Sequence, residues 1–199
     1  MKKATLILII CLSHTYGHCQ NWQQVGLGAY YSGVYGLYAD SINNLLYAGG
    51  NFRTATGDTI WGIAKWNGTK WDSLGSGIKD GVAGAITIYN GDIIAAGSFN
   101  KAGGVNANNI ARWNGKIWNS LSVGTDNGIS ALLVSNNELY VGGIFYNAGG
   151  LTAYGIAKWN GTAWDTLGSY NPASSVFVFT IEYFNGEIYI GGAFLLISP

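Results

Sequence analysis

The stretch "GIAKWNGTKWDSLGSG" (62–77) returns as "NIARWNGKIWNSLSVG" from Asn109 and as "GIAKWNGTAWDTLGS" from Gly155. A second phrase precedes each copy: "YAGGNF" (47–52), "AAGSF" (95–99) and "YVGGIF" (140–145). A fourth, "YIGGAF", occupies 189–194. The closing Phe falls at 52, 99, 145 and 194, so the spacing is 47, 46 and then 49 residues. The tryptophan pairs 66/71, 113/118 and 159/164 keep the same step. A period of this length belongs to a stacked pair of helices or to a propeller blade. The residues favour strands: β-branched and aromatic residues alternate with small ones, and Asn-Gly interrupts the runs.

The second unit predicts four strands. "AITIYN" ends in Asn90-Gly91, "DIIAAGSF" follows, and "NIARWN" ends in Asn114-Gly115 before "KIWNSL". Asn-Gly between extended runs predicts a type I′ hairpin turn, since both residues tolerate positive φ. Corresponding turns fall at Asn136-Asn137, Asn185-Gly186, Asn67-Gly68 and Asn160-Gly161. Each unit therefore reads as a four-stranded antiparallel meander, and the fold class as an all-β propeller. Blades are expected at about 34–75, 82–122 and 129–168, with half a blade from Ser175 and a leading outer strand around Trp22. The double glycines are expected where strands crowd the axis, and the tryptophans where wider strands leave a gap to the neighbouring unit. "NGT" at Asn67 and Asn160 matches a glycosylation sequon, but the turn already explains it.

These motifs, "YxGGxF…AGG…IAKWNGxxWxxLG", resemble the kelch-type repeats of the galactose-oxidase-like propellers over roughly residues 22–194. They are more similar still to a repeat of secreted bacterial proteins and of fungal cortical polarity markers. The resemblance implies a fold and says little about activity. An aromatic side chain buries about 150–250 Å². Two of them left on an open blade face would forgo on the order of 10 kcal/mol. The chain is therefore expected to be part of a larger ring; a cramped four-blade ring and a self-associating half are the alternatives.

The N-terminus departs from the repeat. Lys2 and Lys3 precede an apolar run from Ala4 to Leu12, then small and polar residues. That layout predicts a signal peptide over 1–19, cleaved between Gly17 and Gln20, and repeats over 20–199. A short N-terminal anchor is the alternative; a lipoprotein is disfavoured because Cys19 follows His18. Without the leader, eight basic residues face ten acidic ones. No basic surface then suits nucleic acid. No apolar run reaches the roughly 18 residues of a spanning helix. His14, His18, Cys11 and Cys19 all lie in or beside the leader, so the exported body has no histidine and no disulfide.

In a meander the second-to-third loops and the inter-unit links share one face, opposite the tight turns. Those loops vary between units, and variable loops on a repeated scaffold carry function. Arg53, Asp58, Lys101, Tyr146 and Tyr154 are the candidate ligand-binding residues there. Asp80 and Asp126 hold matching places in successive links and could ligate calcium; the plainer reading is that each caps its own turn. No other cofactor is expected. Without histidine there is no imidazole base and no copper or zinc site of the kind the family's namesake oxidase uses. The expected function is a secreted or cell-surface, non-catalytic propeller that binds a protein or glycan. The alternative is a carbohydrate-active hydrolase or lyase whose catalytic part lies outside this chain.

Overall fold

A left-handed backbone at two consecutive residues is what a two-residue hairpin needs, and several hairpins have it, those at Gly103-Gly104 and Gly149-Gly150 among them. Asn90 and Gly91 (φ 50° and 83°), Asn136 and Asn137 (50° and 60°), and Asn185 and Gly186 (50° and 89°) each close a hairpin. Such turns match the twist of the strands they join. The computed structural model describes residues 29–30, 33–54, 60–167 and 176–194. Among them there is no helix.

The strands form a repeated meander. In unit I, β2 (Val34–Asp40), β3 (Leu45–Thr54), β4 (Trp61–Trp66) and β5 (Trp71–Ser73) pair in order, and the two-residue β1 (Ala29–Tyr30) joins the far end of β3. Unit II uses β6 (Gly81–Tyr89), β7 (Asp92–Phe99), β10 (Ile110–Trp113) and β11 (Trp118–Ser120); unit III uses β12 (Ile129–Ser135), β13 (Glu138–Gly143), β16 (Ile156–Trp159) and β17 (Trp164–Thr166). All pairings are antiparallel. The hairpin of β18 (Val176–Phe184) and β19 (Glu187–Phe194) repeats the first two strands. Two small hairpins, β8–β9 (Lys101–Ala102, Val105–Asn106) and β14–β15 (Asn147–Ala148, Leu151–Thr152), sit in the second-to-third loops of units II and III. The Trp22 strand and the leader lie outside the described residues.

The third-to-fourth turns are not the type I′ turns expected of Asn-Gly. Each spans four residues, with Trp66 opposite Trp71 and Trp159 opposite Trp164. The Asn side chain makes the turn: Asn67 Oδ1 accepts from the amides of Thr69 and Lys70, both at 3.0 Å. Asn114 and Asn160 do the same. Only the glycine takes positive φ, at Gly68, Gly115 and Gly161. The side-chain bond supplies locally what a second left-handed residue would supply. In the sequon-like turns the Thr hydroxyl also donates to that Asn oxygen, at 2.8 Å in one and 2.9 Å in the other.

The core lies between sheets. One apolar cluster joins Tyr47 and Ile63 of unit I to Ile86, Ile93 and Ala111 of unit II. The next joins Ile94 and Ile110 to Leu139, Val141 and Trp164, and a third joins Tyr140 to Val178 and Ile181. Successive sheets are latched by the second tryptophan of units II and III. Trp118 Nε1 donates to Leu74 O at 2.7 Å, and Trp164 Nε1 to Leu121 O at 3.0 Å, both in the preceding unit. Each ring also lies against a hairpin glycine of its own unit: a Cβ at Gly103 or Gly149 would strike Trp118 or Trp164. That contact explains the "AGG" motif. Tyr89 makes a further bridge, donating to Asn137 O of unit III at 2.8 Å.

The paired glycines have two causes, a carbonyl of their own sheet and the close approach of the next sheet. The first strand of every unit carries a β-bulge, at Val34/Gly36, Ala83/Ala85, Ile129/Ala131 and Val178/Thr180. The bulge turns a carbonyl towards the second glycine of the pair. A Cβ at Gly50, Gly97, Gly143 or Gly192 would meet the oxygen of Gly33, Val82, Gly128 or Phe177. The first glycine faces the next sheet instead: Gly49 abuts Ala83 and Ile86, and Gly142 abuts Val178. Unit II has Ala96 there, fully buried, so this place tolerates a methyl group. Gly97→Ala is expected to cost about 1–3 kcal/mol by overpacking against a backbone atom. Gly84→Ala, with nothing within 4 Å, should stay within about 0.5 kcal/mol of the parent. Urea unfolding of both variants checks the contrast.

Candidate functional site

The loop face is assembled by bonds between each second-to-third hairpin and the link before it. Gly103 N donates to Gly77 O at 2.8 Å, and Gly149 N to Gly124 O at 2.8 Å. In unit III the link goes further. Thr125 bridges Ala148, and Asp126 N donates to Asn147 O at 3.2 Å. Asp126 Oδ1 accepts from the amides of Tyr146 (2.8 Å) and Asn147 (3.0 Å), and Oδ2 accepts from Asn147 Nδ2 at 2.9 Å. A carboxylate holding three N–H groups fixes the start of the hairpin.

Two tyrosines stand on that support. Tyr146 is 53% exposed, and its ring meets Tyr154 edge-on at 4.9 Å between centroids. Tyr146 Oη donates to Tyr154 Oη at 3.3 Å. That bond, with some burial behind it, raises the Tyr154 phenol above its ordinary value of 10.0. Tyr146 O accepts from the amides of Ala153 (2.9 Å) and Tyr154 (3.2 Å) and closes the loop beneath the rings. Tyr154 takes φ 48°, a conformation bulky residues rarely adopt. In unit II the matching places hold Asn100 and Asn108; Asn100 O accepts from Ala107 N, and Asn108 Nδ2 reaches Val123 O.

The other expected residues are dispersed. Arg53 lies one residue before the end of β3, paired with Trp61, and its guanidinium lies 4.8 Å above that indole ring. Lys101 is exposed at the start of β8, and Asp80 is exposed in the first link. Asp58 lies outside the described residues. Asp80 and Asp126 do hold matching places: each is two residues ahead of the backbone facing Ser98 and Ile144. The Asp126 carboxylate bonds not to its own turn but to Tyr146 and Asn147 of the hairpin that follows. Among the described residues no three His, Cys, Asp or Glu side chains converge as a metal-binding group, and no helix is long and apolar enough to cross a membrane. Sequence reasoning found both tyrosines but missed the Asp126 brace, which joins residues twenty positions apart.

A second polar cluster lies at the opposite end of unit III. Glu138 Oε1 accepts from Lys158 Nζ at 2.8 Å, and Glu138 Oε2 from Tyr140 Oη at 2.9 Å. Lys158 also lies 3.6 Å from Asp165. The Lys158 bond, aided by Tyr140, lowers the Glu138 carboxyl below 4.5. The same bond raises Lys158 above 10.5.

No family model and no curated protein matches the chain. Among solved structures it is similar to a computationally designed protein, Ika4, at 17% identity and a TM-score of 0.49, over 87% of this chain and 93% of that one. That likeness carries no conclusion about function.

Two outcomes follow from these contacts. Asp126→Ala is expected to speed amide exchange at Tyr146 and Asn147 by about tenfold or more, while the strands of unit III keep their protection. Hydrogen-exchange NMR reads this directly. Glu138 is held below its unfolded value, so its contribution to stability is complete above pH 4.5 and falls as the pH drops through the depressed value. Glu138→Gln should flatten that acid limb in thermal melts taken from pH 6 to pH 2.

Proposed function

We propose that the chain is an exported, non-catalytic binding module. Its sheets act as blades of a kelch-type propeller, and its loop face takes an extracellular protein or glycan. The Tyr146–Tyr154 pair is the observation that carries this reading. Two phenol rings sit on a loop braced by three bonds to Asp126, one of them in a strained backbone conformation. Strain kept in place by surrounding bonds is a feature of binding and switch sites. The exposed Tyr146 and the half-buried Tyr154 behind it, both with hydroxyl tips, offer contact area at low entropic cost, with a polar handle for orientation. The rings present an edge and a face, which suits the alternating CH and OH surfaces of a sugar or the side chains of an extended peptide. Arg53 over Trp61 and the exposed Lys101 are further contacts on the same reading.

The reading is tested on a glycan array and by calorimetry against the ligands the array returns. Tyr146→Ala and Tyr154→Ala should each weaken binding about 5- to 30-fold, the range of an interface anchor. Running the titration with calcium and with EDTA reports on Asp80 and Asp126 as ligands. Turnover of a polysaccharide by the purified chain would sink the non-catalytic reading. Full affinity in both tyrosine variants would move the site elsewhere on the molecule.

A further inference from the structure

The loop face carries one pair of side chains per unit at equivalent places. The first of each pair follows the closing Phe: Arg53 after Phe52, Asn100 after Phe99 and Tyr146 after Phe145. The second precedes a residue with left-handed backbone: Trp61 before Gly62 (φ 65°), Asn108 before Asn109 (65°) and Tyr154 before Gly155 (82°). In units I and III the two members touch. The Arg53 guanidinium lies 4.8 Å over the Trp61 ring, and the Tyr146 and Tyr154 rings are 4.9 Å apart. In unit II the loop is closed by Ala107 N donating to Asn100 O, as the unit III loop is by Ala153 N donating to Tyr146 O, both at 2.9 Å. The backbone frame is held constant while the chemistry changes from station to station: cation on indole, two amides, two phenols.

Each station has bonding capacity left over. Among the described residues Arg53 enters no hydrogen bond or ion pair, so its guanidinium rests one face on the indole and keeps its N–H edge open. A planar fork of this kind pairs with a carboxylate through two parallel bonds. Asn108 Nδ2 donates to Val123 O at 3.0 Å and leaves its oxygen as an acceptor, while the Asn100 side chain is exposed. Tyr146 Oη donates to Tyr154 Oη, so the Tyr154 hydrogen remains to be donated outward. Charge on this face is graded. Around units I and II the exposed Arg53, Lys79 and Lys101 stand against Asp80 among the described residues. In the link before unit III, Asp126 is already engaged by three N–H groups. One end of the row therefore favours an anion and the other an uncharged ring.

Taking the proposed loop face as the binding surface, on which this step depends, we infer that the three stations read one linear acidic polysaccharide. A carboxylate of the ligand pairs with Arg53, its hydroxyls bond to Asn100 and Asn108, and a sugar ring lies on the Tyr146–Tyr154 pair. Sheets packed face to face lie about 10 Å apart, so three stations span roughly 20 Å. That distance calls for an extended chain and not a single sugar. A side-chain amide offers donor and acceptor side by side, the complement of neighbouring sugar hydroxyls. A peptide anchor, by contrast, draws its energy from filling a desolvated pocket. Here the leading members Arg53, Asn100 and Tyr146 all stand exposed, which suits a ligand that stays hydrated on its outer side.

The test is calorimetry on the full chain with hexamers of galacturonate, mannuronate and glucuronate, each also in its carboxyl-reduced, neutral form. The best acidic hexamer should bind about tenfold more tightly than its reduced form, the effect of one charge-assisted bond. Arg53→Ala should remove that difference and leave the reduced form's affinity unchanged. Tyr146→Ala and Asn100→Ala should weaken the acidic and reduced forms equally, as expected of stations that act independently of the carboxylate. The contrast between two ligands on one protein does not depend on how well a variant folds. Absence of binding by all three uronates at millimolar concentration overturns the inference. So does an acid preference that Arg53→Ala leaves unaltered. A hexaglutamate peptide that binds more tightly than every uronate would assign the face to a polypeptide and also overturns it. Binding lost in Tyr146→Ala while Arg53→Ala is silent removes the three-station reading and keeps the tyrosine site; silence of both variants removes the loop face altogether.

Discussion

Backbone-to-backbone approach between neighbouring sheets is the constraint on which the molecule rests. A four-stranded meander of forty-odd residues has two faces and cannot bury either by itself. Here the facing surfaces of successive sheets cover one another, so the apolar clusters mix residues of adjacent units. Within each sheet the close fit of first and second strands has a backbone cause of its own. A bulge in each first strand pushes a carbonyl at the second strand, and only glycine leaves room for it. The indole latch adds direction: Trp118 and Trp164 each reach back to a carbonyl of the unit before. Buried N–H groups seldom go unpaired, so the latch fixes where one sheet sits on the next.

That stacking also builds the loop face. Because the tryptophan bonds to the link, the link is held at a set height, and the next hairpin then bonds to it through Gly103 or Gly149. Loop order is thus inherited from the core. The Tyr146–Tyr154 pair stands on three bonds to Asp126, which is itself placed by Thr125 and Asn147. A surface held this way spends little ordering entropy when a ligand arrives. We read the pair as the binding element for that reason.

Much of this was legible in residue types with strong local physics. Asn90-Gly91 and Asn136-Asn137 named their turns because few residues accept two successive positive φ values. The same reasoning failed at Asn67, Asn114 and Asn160. There the Asn keeps ordinary φ and uses its side-chain oxygen, a choice set by a loop two residues longer. The unit borders came within two residues because the Phe, Gly and Trp spacing marks the same points in each unit. The two small hairpins escaped notice: "KAGGVN" and "YNAGGLT" are too short for an alternation to show. The Asp126 brace could not be read at all, since it depends on where a link and a hairpin from different units meet.

Comparing units within the chain separates two kinds of position. At stacking places the choices are narrow: Tyr, Ile, Tyr at 47, 94 and 140, and Gly at 50, 97 and 143. At the loop positions they are wide, with Asn100 and Asn108 in one unit and Tyr146 and Tyr154 in the next, while the bonds to the link persist in both. A substitution at the first kind meets a neighbouring backbone; at the second it meets water. The last hairpin joins these two categories. Tyr189 belongs to a stacking place by sequence and to the surface by exposure, with Glu187 already bonded beside it.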